Sequence, residues 1–140
     1  WTANTTHAGF STVAPYRALS ANVAAQNVAA QNADPHGILA FYRQMLALRN
    51  GLPSVARGSY VWPFVSGSAL GYQRVLGSER TVVLINYGGT AAALDVGALP
   101  ANATLQSVYP AGMASTTASA DGVASVAVPA QSVRVFQVLP

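Results

Sequence analysis

Thr81-Val82-Val83-Leu84-Ile85-Asn86-Tyr87 is the stretch that decides the fold. Its centre, Val82-Val83-Leu84-Ile85, is too short for a helix. It is apolar on both faces, which predicts a strand covered on both sides, in the middle of a sheet. Working outward, the same period continues on either side. Strands are expected at Ser59–Val65, Ala69–Leu76, Thr81–Tyr87, Ala92–Val96, Thr104–Tyr109, Val123–Val128 and Val133–Leu139. Turn chemistry separates them: Ser66-Gly67-Ser68, Gly77-Ser78, Gly88-Gly89, Pro100-Ala101-Asn102, Asp121-Gly122 and Pro129-Ala130-Gln131. Short strands repeating at about ten-residue intervals, with no crossover helix between them, read as an antiparallel β-sandwich. Asp121-Gly122 is expected to form a hairpin turn, and Ala114–Ala120 a mobile loop or weak edge.

Upstream of Ser59 the period changes. Asp34-Pro35 resembles a helix start, with Asp34 as N-cap and Pro35 at the first helical position. The pattern carries the helix to Arg49, and Asn50-Gly51 is expected to stop it. Ile38, Tyr42, Met45 and Arg49 form one stripe, which Leu39, Phe41, Leu46 and Leu48 widen beyond a single face. A helix this apolar calls for cover from more than one side. Residues 1–33 are rich in Thr, Ser, Ala, Asn and Gln and read as loop, with a short helical turn near Val23–Gln31.

Composition narrows the function classes. Hydrophobic residues make up 51% and charged residues 8% of the 140, against about 25% charged in ordinary soluble domains. The charge-poor surface is therefore expected to face another polypeptide in part. Seven Arg and no Lys give a net charge of +3. The arginines are scattered singly, which argues against nucleic-acid binding. No apolar run reaches the roughly 18 residues of a membrane span. With no Cys, thiolate metal sites and Cys nucleophiles are excluded.

The chain has four acids, Asp34, Glu79, Asp95 and Asp121, and each has a structural reading as a cap, turn or strand residue. The two histidines, His7 and His36, lack the company a zinc site needs. No catalytic residue, metal site or cofactor is expected in this chain. Tyr60, Trp62 and Phe64 stand two residues apart and should share one face of a strand, as core or interface in preference to a platform that stacks on sugar faces.

The order of several weak motifs carries a resemblance. They are Trp1-Thr2-Ala3-Asn4-Thr5-Thr6-His7-Ala8-Gly9-Phe10-Ser11, Pro15-Tyr16, Asn27-Val28-Ala29-Ala30-Gln31, Asp34-Pro35, Phe41-Tyr42-Arg43, Leu48-Arg49 and Gly58-Ser59-Tyr60. Together they resemble the end of the barrel in α-glucosidases and oligo-1,6-glucosidases of glycoside hydrolase family 13, the α-amylase superfamily. Val83-Leu84-Ile85-Asn86-Tyr87 and Val133-Arg134-Val135-Phe136 are similar to strands of that family's terminal β domain. Two positions depart from the pattern: His7 stands where the family usually has Asn, and Tyr16 where it usually has Trp.

The resemblance implies that residues 1–53 are the terminal loop and last helix of a (β/α)8 barrel. Residues 54–140 would then be the carboxyl-terminal antiparallel β-sandwich. It implies a retaining α-glucoside hydrolase acting on malto-oligosaccharides or related α-glucosides, with the catalytic carboxylates on barrel strands upstream of Trp1. It places Asn4, His7 and Phe10 beside the substrate as specificity residues. The expected partner is the rest of the catalytic barrel, as a separate or cleaved polypeptide, of a bacterial enzyme; the compartment is left open, with secreted or periplasmic slightly favoured over cytoplasmic. The alternative is a stand-alone carbohydrate-binding or structural β-sandwich module.

Overall fold

The computed structural model describes residues 1–3 and 5–140. These fall into two compact units, Trp1–Ala47 and Leu48–Pro140.

The first unit holds α1 (Val28–Ala33) and most of α2 (Ile38–Gly51). Asn27 starts α1. Its Oδ1 accepts from Ala30 N at 3.0 Å, and its Nδ2 donates to Val23 O at 3.0 Å. Both ends of the amide are spent on backbone, which explains how a polar side chain can be buried here.

The start of α2 differs from the expectation. Asp34 is not its cap. The Asp34 carboxylate accepts from His36 N, two residues on, at 2.9 Å, and the Asp34 carbonyl accepts from Gly37 N. This local turn satisfies the Asp-Pro signal before any helix forms. The first helical carbonyl is that of Gly37, which accepts from Phe41 N. The orphan N–H of Leu39 is satisfied by Gln31 Oε1, eight residues back, at 3.3 Å. At the other end Asn50 and Gly51 belong to the helix, not to its stop.

The second unit begins with α3 (Pro53–Arg57), a short helix that the sequence pattern did not announce. Pro53 opens it, where a missing N–H is harmless. Eight strands follow: β1 (Ser59–Ser66), β2 (Ala69–Leu76), β3 (Glu79–Asn86), β4 (Ala92–Val96), β5 (Thr104–Tyr109), β6 (Thr116–Thr117), β7 (Ala124–Val128) and β8 (Ser132–Leu139). All pair antiparallel, in a six-stranded sheet of order β1-β2-β3-β8-β5-β6 and a two-stranded sheet β4-β7. The molecule is thus mainly β, as the alternation implied. β3 is internal, flanked by β2 and β8. The Thr-rich stretch after Ala114 supplies only β6, two residues long at the sheet's edge. Asp121-Gly122 closes a tight turn of hairpin type, with Gly122 N donating to Ser119 O at 3.0 Å, Ser119 N to Val123 O at 2.8 Å and Gly122 at φ 71°; the strands on either side, β6 and β7, pair in different sheets.

The core lies between the two sheets. Val82, Leu84, Leu105, Phe136 and Val138 face Leu94, Val96, Ala124, Val126 and Val128. Complete burial of a Leu such as Leu84 stabilises by about 2 kcal/mol. Two polar clusters tie the sheets together. Gln73, fully buried on β2, donates to Gly97 O at 2.6 Å beyond β4. Arg80 joins it, bonding Gln73 Oε1 and Ala98 O. Asn86 on β3 donates to Val128 O and Pro129 O at the end of β7. α3 is fastened to the sheet by Ser54, whose N donates to Glu79 Oε1 at 2.7 Å and whose hydroxyl bonds that of Thr81 at 2.8 Å.

Tyr60, Trp62 and Phe64 do not share a face. The register of β1 against β2 shifts between Val61 and Phe64, and Trp62 has φ 51°. This bulge sends Tyr60, opposite Arg74, to one face and Phe64, opposite Gly71, to the core side. Trp62 packs on Phe64 with ring centroids 5.0 Å apart.

Candidate functional site

The loop expected to approach the substrate lies in the first unit. Its local structure is unusual. His7, Ala8 and Gly9 have φ of 52°, 55° and 67°, three left-handed residues in succession. Only glycine adopts that conformation freely, and a run of it costs about 1–2 kcal/mol for each non-glycine residue. The turn is held by Ala8 N to Thr5 O at 2.9 Å, Phe10 N to His7 O at 3.0 Å, and Thr2 N to Ala8 O at 3.0 Å. Ala8, at 4% exposure, is the apolar peg that anchors it. At Gly9 an added Cβ would stand 3.2 Å from Thr5 Oγ1 on top of the left-handed φ, which makes glycine the fitting residue.

This turn sets out the side chains. Phe10 is exposed and meets the Trp1 ring edge-on, with centroids 5.1 Å apart. Trp1 is tied down by its carbonyl, which accepts from Ala29 N at 3.1 Å. Thr5, Thr6, Gly9, Phe10, Ser11 and Thr12 line a cleft of about 540 Å³. Four hydroxyls around one exposed ring is a surface that can stack on a sugar face and bond its hydroxyls. Of the residues named from the sequence, Phe10 lines this cleft. His7 is half-buried in the turn behind it and is not among the lining residues. Asn4 lies outside the described residues. Thr5, Thr6, Ser11 and Thr12 were missed, because isolated hydroxyl residues in a loop carry no pattern.

A second cleft in the same unit is lined by Trp1, Gln26, Asn27, Val28, Gln31, Ile38, Leu39 and Tyr42. The Asn27 and Gln31 oxygens are already used as helix caps. What remains is an apolar wall of Trp1, Val28, Ile38 and Tyr42, all exposed.

Neither cleft is lined by an acid. Asp34 closes its own turn, Glu79 holds α3, Asp95 is exposed on β4, and Asp121 is exposed between the two sheets. Among the described residues, no group of three His, Cys, Asp or Glu side chains could hold a metal ion. Among the described residues, no helix is long and apolar enough to cross a membrane.

No family model matches the chain. A probable α-glucosidase from Rhizobium meliloti (strain 1021) is 36% identical over 84 residues, which are 60% of this chain and 15% of the relative. The trehalulose synthase MutB from Pseudomonas mesoacidophila MX-45 superimposes with a TM-score of 0.70 at 22% identity, over 98% of this chain and 24% of its own. A variant of MutB in complex with sucrose fits over the same shares. The α-amylase from Geobacillus thermoleovorans, complexed with acarbose, gives a TM-score of 0.68 at 21% identity over 76% of this chain and 24% of its own. The chain therefore spans about a seventh of the curated relative and about a quarter of the solved enzymes.

Proposed function

We infer that this chain, a homologue of α-glucosidases, is the carboxyl-terminal part of a glycoside hydrolase of the α-amylase family. One observation carries this reading. The likeness to the trehalulose synthase runs over 98% of the chain, and so takes in the loop-and-helix unit as well as the sandwich. A separate binding module would need only the sandwich to match.

In this reading residues 1–53 are the last loop and helix of a (β/α)8 barrel, and residues 54–140 are the terminal sandwich. Active sites of such barrels form from the loops at the carboxyl ends of the strands. The loop carrying Asn4, His7 and Phe10 is one of these and helps to set substrate preference. Its three left-handed residues support the assignment, since backbone strain concentrates where a loop must hold one shape for a ligand. The exposed apolar wall of Trp1, Val28, Ile38 and Tyr42 supports cover by the rest of the barrel.

The reaction of the whole enzyme is cleavage of an α-glucosidic bond with retention, through a covalent glycosyl-enzyme. That chemistry needs two carboxyl groups about 5–5.5 Å apart across the scissile bond. The positions of the four acids here support a catalytic pair contributed by the preceding polypeptide. The substrate class is α-glucosides: malto-oligosaccharides, isomaltose-type sugars or sucrose.

The test is kinetic, on the full-length enzyme. His7→Ala and Phe10→Ala are expected to lower kcat/KM on α-glucosides by about tenfold, or to shift the ratio of hydrolysis to glucosyl transfer, with no change in melting temperature. Unchanged kinetics in both variants would remove the loop from the substrate site. A full-length enzyme inert on every α-glucoside would overturn the activity itself.

A further inference from the structure

One cleft in the sandwich unit is untouched by this reading. It is lined by Arg49 at the end of α2, Val55 and Ala56 of α3, Tyr60 of β1, and Tyr72 and Arg74 of β2, and measures about 360 Å³. It exists because the β1 bulge turns Tyr60 away from the core and onto the face of Tyr72 and Arg74. The two tyrosine rings lie with centroids 4.8 Å apart and form one wall. Arg74 is positioned by a bond from its Nε to Ser54 O at 3.4 Å, which leaves its terminal N–H groups for other partners. Arg49 brings a second guanidinium to the same space.

The lining is chemically one-sided. Two permanent positive charges and two phenolic O–H groups surround the cleft, and no carboxylate is among the lining residues. Like charges facing a partly desolvated space repel, and an anion between them relieves that repulsion. Guanidinium forks match the geometry of phosphate and carboxylate oxygens. Burial, reinforced by the neighbouring Tyr60, holds the Tyr72 phenol above its ordinary pKa of 10.0, so it remains a neutral donor. Val55 and Ala56 supply a small apolar surface for the carbon skeleton of a ligand.

We propose that this cleft is an oxyanion site, taking the phosphate or carboxylate group of a small organic anion between Arg49 and Arg74, with the tyrosine hydroxyls as further donors. All of its lining residues lie within the unit Leu48–Pro140.

The experiment uses the full-length protein with its arginines isotopically labelled. Arginine Nε–H resonances are followed by NMR during titration with inorganic phosphate and, separately, with acetate, at ionic strength held constant with chloride. Saturable shifts at Arg49 and Arg74 are expected with at least one anion. Phosphate binding more tightly identifies a phosphate ester as the ligand class, and acetate binding more tightly identifies a carboxylate. Arg49→Gln, at an exposed helix end, should weaken binding about tenfold or more, on the scale of one lost charge-assisted pair. Arg57→Gln, outside the cleft, should leave it unchanged. No saturable shift with either anion would overturn the proposal. So would equal losses in Arg49→Gln and Arg57→Gln, since that result means general attraction to a basic surface.

Discussion

Gly71 shows how narrowly single positions are set. It sits on β2 opposite Phe64 and beside Leu84, and a Cβ there would overlap the Phe64 ring and the Leu84 Cδ2. Gly71→Ala is expected to destabilise the sandwich by about 1–3 kcal/mol, the usual range for overpacking a core. Urea unfolding measures it, and a loss below experimental error would mean that Phe64 can move aside. Tyr72 offers a test by pH. Its phenol ionises above 10.0 in the folded chain because of burial and then Tyr60, while the unfolded chain ionises near 10.0. The unfolded state therefore loses its proton first as pH rises. The contribution to stability is complete below pH 10 and is lost as pH climbs through the folded pKa. Tyr72→Phe should flatten the fall in stability above pH 10, and an unaltered slope would assign that fall to other groups. At the candidate site, Phe10 could be named from the family pattern in the sequence. The hydroxyls of Thr5, Thr6, Ser11 and Thr12 could not, because nothing local distinguishes a hydroxyl lining a cleft from one facing open solvent.

Strands were legible wherever alternation and turns agreed, as in β2, β4 and β5, and opaque wherever one residue broke the period. The bulge at Trp62 is such a break: an i, i+2 rule carried across it puts Tyr60 on the wrong face. The start of α2 failed for another reason. Asp-Pro is equally at home in a local turn, and the true partner of Leu39 N is Gln31, eight residues away and invisible to a capping rule. α3 was hidden because its five residues are shorter than any periodic window. Between elements, Asn86 does most to join β3 to the end of β7. Its amide donates to Thr90 O at 2.8 Å, Val128 O at 3.1 Å and Pro129 O at 3.0 Å, and its Oδ1 accepts from Gly88 N at 2.8 Å. Asn86→Ala leaves those groups without their partner, and is expected to cost about 2–4 kcal/mol. Denaturant midpoints would register it, with the slope unchanged if the native state keeps its compactness.

At the scale of the whole molecule, two features have one explanation. The chain is poor in charge, with 8% charged residues, and its first unit exposes Trp1, Ile38 and Tyr42. Both fit a polypeptide that works against a larger neighbour. Asp34 closes a local turn and Glu79 fastens α3, and the fold matches about a quarter of the trehalulose synthase chain. On the proposed reading, these 140 residues act as the end of a larger α-glucoside hydrolase. The most direct measurement is to raise an antibody to residues 59–140, fractionate extracts of the source cells by size, and assay each fraction for α-glucosidase activity. Antibody signal is expected in a species several times the 14.4 kDa of this chain, eluting with the activity. A signal confined to a 14.4 kDa species, in fractions without activity, would contradict it and leave a free-standing β-sandwich module in its place.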